Sequence, residues 1–112
     1  MAGERLALEH YERLGFRLLD RNYRTAIGEV DLILCDRRTI VFSEVKTRRA
    51  GGLDPLLAIT PRKIRRLRAV AVRWLAAHPD RPRRSELRLD AVAVVIDADG
   101  KLVALEQLAG IA

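Results

Sequence analysis

The sequence predicts an α/β fold: one small domain with a mixed central sheet of about five strands and helices on its flanks. Short apolar, β-branched runs alternate with two segments in which apolar residues recur at helical spacing. Their order is helix, three strands, helix, two strands, which favours a mixed sheet covered by helices. A chain of 112 residues with 49% hydrophobic side chains can build one such core. We therefore expect residues 1–112 to form a single domain.

The first helix and the strands have local signatures. Ala7, Tyr11 and Leu14 share helical spacing and Gly15 is a natural stop, which predicts a helix over residues 3–14. Apolar, β-branched runs predict strands at residues 16–24, 28–34, 40–46, 87–96 and 101–108. Turn residues separate these strands at 25–28 and 97–100.

The second helix has a strong start signal. Thr60 can cap the first backbone N–H groups and Pro61 suits the first helical position, so we expect a helix over residues 61–77. Its predicted buried stripe contains Ile64, Leu67, Val70 or Ala71, and Trp74 or Leu75. Glycine and proline in residues 47–60 predict a mobile loop before it, and residues 78–82 form a linker after it.

The charge pattern indicates a polyanionic partner. The net charge is +6, and residues 60–88 hold ten Lys or Arg against only Asp80 and Glu86. Eighteen of the 21 basic residues are arginine, the side chain best suited to forked contacts with phosphate. This pattern predicts nucleic-acid binding. The alternative is a solvated arginine-rich helix face.

The sequence also predicts a compartment. No apolar stretch approaches the roughly 20 residues of a membrane span, so no membrane partner is expected. No secretory signal is visible at the N-terminus. The single cysteine, Cys35, cannot form an internal disulfide. We expect a cytoplasmic protein.

Three charged residues stand within two otherwise apolar strands. A hairpin with Arg37 and Arg38 at its tip places Asp31 directly opposite Glu44, with Cβ atoms about 4.5–5.5 Å apart. Two carboxylates so close repel each other unless a proton or a cation lies between them. Lys46 lies two residues beyond Glu44 and projects from the same face. The spacing predicts a metal site with an ammonium group beside it.

A second interpretation of the same three residues is structural. Asp31, Glu44 and Lys46 would then form a cross-strand salt-bridge network on a solvated face of the sheet. The same register places Lys46 opposite Glu29, with which it could pair.

Asp31 followed by Glu44-Val45-Lys46 resembles the core motif of the PD-(D/E)XK nuclease superfamily. The wider pattern is similar to the YraN-like family of small bacterial proteins, which are mostly uncharacterised and described as candidate endonucleases. The matching segments are Gly3-Glu4 and residues 15–19, 21–24, 28–33, 41–48, 60–63, 65–67 and 89–94. The resemblance therefore covers nearly the whole chain.

The resemblance implies a restriction-endonuclease-like core related to the archaeal Holliday-junction resolvases. It also implies that Asp31, Glu44 and Glu4 bind Mg²⁺, for which Mn²⁺ could substitute, and that the backbone carbonyl of Val45 adds a ligand. Lys46 would orient or help to deprotonate the attacking water, or stabilise charge on the phosphoryl oxygens. The expected substrate is DNA, branched or nicked, and resolvase-like relatives suggest a homodimer.

The residues expected to contact nucleic acid are basic or polar and lie after the motif or on the second helix. They are Thr47, Arg48, Arg62, Lys63, Arg66 and Arg73. Thr47 and Arg48 fit a strand-end turn equally well, and Glu4 could simply be a favourable acid in the first turn of a helix. Asp90 fits either a buried, hydrogen-bonded acid or a group that supports the site.

The chain departs from the family pattern at Ser43, usually apolar, and at Ile64, usually glutamine. Without that glutamine, Lys63 or Arg66 would have to assist catalysis in its place. The rival functions are a non-catalytic nucleic-acid-binding module that retains the nuclease fold and a protein-interaction module.

Overall fold

The computed structural model describes residues 2–111, with the backbone alone at Pro55 and Leu57. The elements are helix α1 (Ala2–Arg13), strands β1 (Arg17–Thr25), β2 (Gly28–Cys35) and β3 (Thr39–Arg49), a 3-10 turn (Pro55–Ala58), helix α2 (Pro61–Ala77), and strands β4 (Glu86–Ile96) and β5 (Leu102–Leu108). Met1 and Ala112 of the predicted domain lie outside the described residues. Within them, neither helix has the length and apolar character needed to cross a membrane.

The five strands form one mixed sheet in the order β1-β2-β3-β4-β5. Among residues 2–111, only β3 and β4 run parallel, and helix α2 lies in the connection between them. The other neighbours are antiparallel. The predicted α/β fold with a mixed five-stranded sheet and two helices is confirmed.

Each helix covers one apolar cluster of the sheet. Ala7 and Tyr11 of α1 pack with Leu34 and Val92 among others, and Leu67 and Trp74 of α2 belong to a second cluster with other strand residues. The indole N–H of Trp74 donates to Asp20 Oδ2 at 2.9 Å, so the ring is core with a satisfied polar edge. The predicted stripe of α2 is confirmed at Leu67, Val70, Ala71 and Trp74, which are buried, whereas Ile64 is only partly buried against the same cluster.

The cap of α2 also forms as predicted. Thr60 is the N-cap, and its side-chain oxygen accepts a hydrogen bond from Lys63 N at 3.2 Å. This contact stabilises the first turn of α2, which carries Lys63.

Two local predictions are wrong. Residues 47–49 were expected in a loop, but strand β3 continues to Arg49 because β4 pairs with it as far as Arg49 opposite Ile96. The same segment contains a 3-10 turn in which the Asp54 side chain accepts a hydrogen bond from Leu56 N. Leu14 lies beyond the end of α1 and is 53% exposed, because the helix stops at Arg13.

Candidate metal and phosphate site

The β2–β3 hairpin has the predicted register, and its ladder stops at the motif. Leu32 is paired with Ser43, as expected for a tip at residues 37–38. Beyond that pair, the N–H of Val45 donates to Asp31 Oδ2 at 2.7 Å instead of to a strand carbonyl. The Asp31 side chain thus replaces a backbone partner where β2 and β3 cease to pair. The result is a forked opening lined by the first acid of the motif.

Burial makes Asp31 an unusual carboxyl group. Its residue is only 9% exposed. Burial is the largest cause that raises the pKa of Asp31, from an ordinary 3.8 to about 6; the negative charges of Glu4, Glu29 and Glu44 add to the rise, and the hydrogen bond from Val45 opposes it. A cation bound nearby would offset the repulsion between the Asp31 carboxylate and these three acidic side chains.

Glu44 and Lys46 form an ion pair along β3. Lys46 Nζ lies 3.3 Å from Glu44 Oε1, and both side chains are largely buried. The suggested pairing of Lys46 with Glu29 is wrong: Glu29 pairs with Arg24 instead, at 3.1 Å. The cross-strand salt-bridge network therefore does not form in the expected arrangement.

Helix α2 brings a second ammonium group to the first. Partial burial is the largest cause that lowers the pKa of Lys63, and the positive charge of Lys46 is the next. The two lysines, Glu44, Glu29 and Arg66 line one cleft of about 200 Å³, with Gly28 and Leu67 completing its wall. Two ammonium groups that repel each other beside an open cleft favour an anion between them.

Gly28 allows Arg66 to lie over the start of β2. A Cβ atom at Gly28 would come within 2.7 Å of the Arg66 side chain, and the φ of Gly28 is +153°, a conformation that favours glycine. From the sequence, Gly28 was expected at the end of a turn and the start of a strand, and its role in seating an arginine was missed. Glycine at the start of a motif strand is the signal that could have suggested it.

The expected ligands fit a metal ion that keeps much of its water. Among residues 2–111, no group of three or more His, Cys, Asp or Glu is arranged to hold a metal. Mg²⁺ needs no such cage, because it is commonly bound by one or two carboxylates together with waters and substrate phosphate. Asp31 and Glu44, with the carbonyl of Val45, supply oxygen donors of the type that Mg²⁺ prefers. Glu4 is near enough to influence the pKa of Asp31.

The other predicted residues are spread more widely. Thr47 lies against helix α1: its Oγ1 is buried without a hydrogen-bond partner among the described residues, and a Cβ at Gly3 would come within 1.8 Å of it. Arg48 is exposed and donates to its neighbour's carbonyl, Thr47 O, at 2.8 Å. Arg62 and Arg73 are exposed on α2 and do not line the cleft. The structure therefore brings together Glu44, Lys46, Lys63 and Arg66, with Asp31 beside them.

Asp90 belongs to a separate buried network. It is fully buried and accepts two N–H groups from Arg88, at 2.8 and 3.0 Å. The Tyr11 hydroxyl (2.8 Å) and Gln107 Nε2 (3.0 Å) also donate to it. The hydroxyls of Tyr11 and Ser43 lie 2.9 Å apart, which accounts for a serine where an apolar residue was expected. Of the two interpretations of Asp90, the structure supports the buried, hydrogen-bonded acid.

Comparison with known proteins places this geometry in a family. The profile described as "Uncharacterised protein family UPF0102" matches residues 3–94, which include both motif strands and helix α2. The chain belongs to the UPF0102 family. Strand β5 lies beyond the matched residues, and the Asp31–Lys46 hairpin and Lys63 lie within them.

Relatives in the UPF0102 family align over most of the chain. A UPF0102 protein of Mycobacterium avium is 50% identical over 95 residues, covering 82% of this chain and 73% of that protein. One of Mycobacterium tuberculosis is 42% identical over 114 residues, with 97% and 88% covered. One of Renibacterium salmoninarum is 44% identical over 110 residues, with 97% and 91% covered.

Proposed function

We propose that this UPF0102 protein is a metal-dependent endonuclease of the PD-(D/E)XK superfamily, which hydrolyses phosphodiester bonds in DNA. One observation carries the proposal: the Asp31 carboxyl group, with its raised pKa, stands at the fork beside a cleft that holds Glu44, Lys46 and Lys63. Oxygen donors and ammonium groups placed side by side suit a phosphate that is bound together with a metal ion.

The cofactor in this proposal is Mg²⁺, with Mn²⁺ as a substitute. Asp31, Glu44 and the carbonyl of Val45 would hold it, and Glu4 would complete its surroundings from helix α1. A bound Mg²⁺ polarises the phosphate and lowers the pKa of coordinated water. Hydrolysis adds water across one P–O bond and yields a phosphate monoester and an alcohol.

The cations of the cleft have separate roles in the proposal. Lys46 borders Glu44 and would stabilise the charge that develops on the phosphoryl oxygens, or orient the attacking water. Lys63 would hold a phosphate oxygen from the opposite wall of the cleft. The family's usual glutamine is replaced by Ile64, and Lys63 is the neighbouring side chain that reaches Lys46. Arg66, seated on Gly28, extends the positive wall.

The proposed location is the cytoplasm. Cys35 is a buried, unpaired thiol in strand β2, as is common in a reducing compartment.

A cleavage assay tests the proposal. Labelled duplex, single-stranded and branched DNA, together with RNA, is incubated with the protein in Mg²⁺, Mn²⁺ or EDTA. We expect metal-dependent cleavage that falls at least 100-fold in Asp31→Asn and in Lys46→Gln. Lys101→Gln is the matched control, because Lys101 is an exposed lysine in the turn before β5. Cleavage that persists in EDTA, or that survives both site variants, would show that the activity comes from elsewhere.

Two observations favour a non-catalytic nucleic-acid-binding module instead. Lys46 is already paired with Glu44, and the described residues contain no cluster of three ligating side chains. The same assay separates the two functions. Salt-sensitive binding of DNA without cleavage, unchanged by Asp31→Asn, would identify the binding module. Absence of both binding and cleavage at low salt would favour a protein-interaction role.

A further inference from the structure

A second, larger groove adjoins the lysine cleft. It lies between the β1–β2 turn and the outer face of α2, has a volume of about 980 Å³, and is lined by Arg24, Ile27, Arg65, Arg66 and Ala69 among others. Gly28, Glu29 and Arg66 line both the groove and the lysine cleft, so the two are continuous. We call this surface the turn–helix groove.

The turn–helix groove is mainly positively charged, and part of that charge is not engaged in ion pairs found among the described residues. Its acid, Glu29, is paired with Arg24 at 3.1 Å. Arg65 and Arg66 are exposed, and none of the ion pairs or side-chain hydrogen bonds found among residues 2–111 involves them. Both guanidinium groups are therefore available to an anionic ligand.

The shape of the groove favours a polymer over a small anion. The groove is open along its length and has no aromatic ring in its lining, which leaves no platform on which a base could stack. Guanidinium groups make forked contacts with phosphate, and phosphate contacts position a strand without reading its sequence. Ala69, a small residue in the same lining as Arg65 and Arg66, leaves room for a backbone to approach.

We propose that the turn–helix groove binds the sugar–phosphate backbone of the nucleic-acid strand that leads away from the phosphate held between Lys46 and Lys63. This proposal rests on the proposed nuclease function for the position of the reacting phosphate. It adds two further contacts on the side of the cleft away from β3: Arg65, and the terminal N–H groups of the exposed Arg24, which pairs with Glu29 through Nε.

The first test measures how salt weakens binding, in EDTA so that no cleavage is needed. A 20-nucleotide single-stranded DNA is titrated at several salt concentrations with wild type, Arg65→Gln and Arg24→Gln. Each variant should bind several-fold more weakly, and the slope of log K against log salt should shrink by about 0.7 per lost phosphate contact. Arg68→Gln is the matched control, because Arg68 is exposed on the same helix but lines a different pocket beside Phe42.

The second test locates the strand directly. Cys35 is buried, so a photoreactive maleimide attached to Ala26→Cys in the exposed turn labels a defined position. This derivative should crosslink to the DNA, whereas the same group on Val103→Cys, an exposed position on β5, should not. A Cys35→Ser background removes any residual reaction at the native thiol.

The outcomes separate the two proposals. Altered slopes and crosslinks from Ala26→Cys, without cleavage by wild type in Mg²⁺, would support strand binding in the turn–helix groove and refute the nuclease activity. Cleavage by wild type, with salt slopes unchanged in Arg24→Gln and Arg65→Gln, would support the nuclease activity and overturn strand binding in the groove. Equal losses in Arg68→Gln, or crosslinking from Val103→Cys alone, would also overturn it, because binding would then follow net charge or another face. Equally tight binding of a polyglutamate peptide would overturn a preference for nucleic acid.

Discussion

Replacing Asp31 by asparagine should stabilise this protein at neutral pH. Asparagine keeps an oxygen that can accept the Val45 N–H, but it carries no charge to be buried. The pKa of Asp31 rises from 3.8 to about 6 on folding, mainly through burial. Each pH unit of that interval corresponds to about 1.4 kcal/mol, so the charged form costs up to about 3 kcal/mol in the folded state.

The sign of the pH dependence follows from which state binds the proton more tightly. The folded protein holds the Asp31 proton up to about pH 6, whereas the unfolded chain releases it near 3.8. Wild type therefore loses stability as the pH rises through this interval and loses no more above it. Asp31→Asn lacks this loss. The variant should match wild type at pH 3.5 and exceed it by up to about 3 kcal/mol at pH 7.5.

Urea unfolding in EDTA, followed by the fluorescence of the buried Trp74, measures the difference. With typical urea slopes, about 3 kcal/mol moves the midpoint by on the order of 1–2 M. Added Mg²⁺ should stabilise wild type at pH 7.5 and leave Asp31→Asn unchanged. Asp36 provides a control of opposite sign, because backbone hydrogen bonds lower its pKa, and the one from Arg38 has the largest effect. Asp36→Asn should therefore not stabilise the protein at pH 7.5. An Asp31→Asn variant that is less stable than wild type at pH 7.5, or a gap that is equal at both pH values, would refute the reasoning.

Three further substitutions, each followed by urea unfolding, probe the contact between α1 and Thr47 and the separate Asp90 network. Gly3→Ala should lower the free energy of unfolding by about 1–3 kcal/mol, because the new Cβ meets Thr47 Oγ1. Adding Thr47→Ala to the same chain should recover most of that loss. A loss that persists in the double variant would show that the strain lies elsewhere. Arg88→Met should cost about 3–5 kcal/mol, because it leaves the carboxylate of Asp90 buried without its cation, and an unchanged midpoint would contradict this. Tyr11→Phe should cost less, about 1–3 kcal/mol, because the carboxylate of Asp90 keeps its other donors, and the ranking fails if Tyr11→Phe is the more damaging change.

The parts of the site that the sequence predicts are those set by local pairing. The register of the β2–β3 hairpin follows from a short turn and an alternating pattern, and it places Asp31 just beyond the last pair, Leu32 with Ser43. Glu44 and Lys46 contact each other because they lie two residues apart on one face of β3. The position of Lys63 follows from its place after the Thr60 cap together with the packing of Leu67. These local signals suffice for the core of the candidate site.

The remaining features depend on contacts between residues far apart in the chain. The extension of β3 to Arg49 requires β4, whose pairing no pattern within residues 47–60 reveals. The network around Asp90 includes residues from α1, β3 and β5. An aspartate within a strand sequence does not indicate which distant residues will hydrogen-bond to it. The replacement of a ladder hydrogen bond by the Asp31 side chain also depends on where the two strands separate in space.

The division of the cleft between a hairpin and a helix sets the order in which it can assemble. The acids, with Lys46, lie on two strands joined by a short turn, whereas Lys63 and Arg66 arrive on α2 within the long crossover that precedes parallel β4. Closing such a crossover costs more chain entropy than closing a hairpin, so we expect the α2 cations to join the acids late in folding. Loosening of α2 from the sheet would withdraw those cations again while the hairpin stays intact. A nascent or partly opened chain would then hold Asp31 and Glu44 without the α2 cations beside them, so only the fully folded domain carries the complete candidate site.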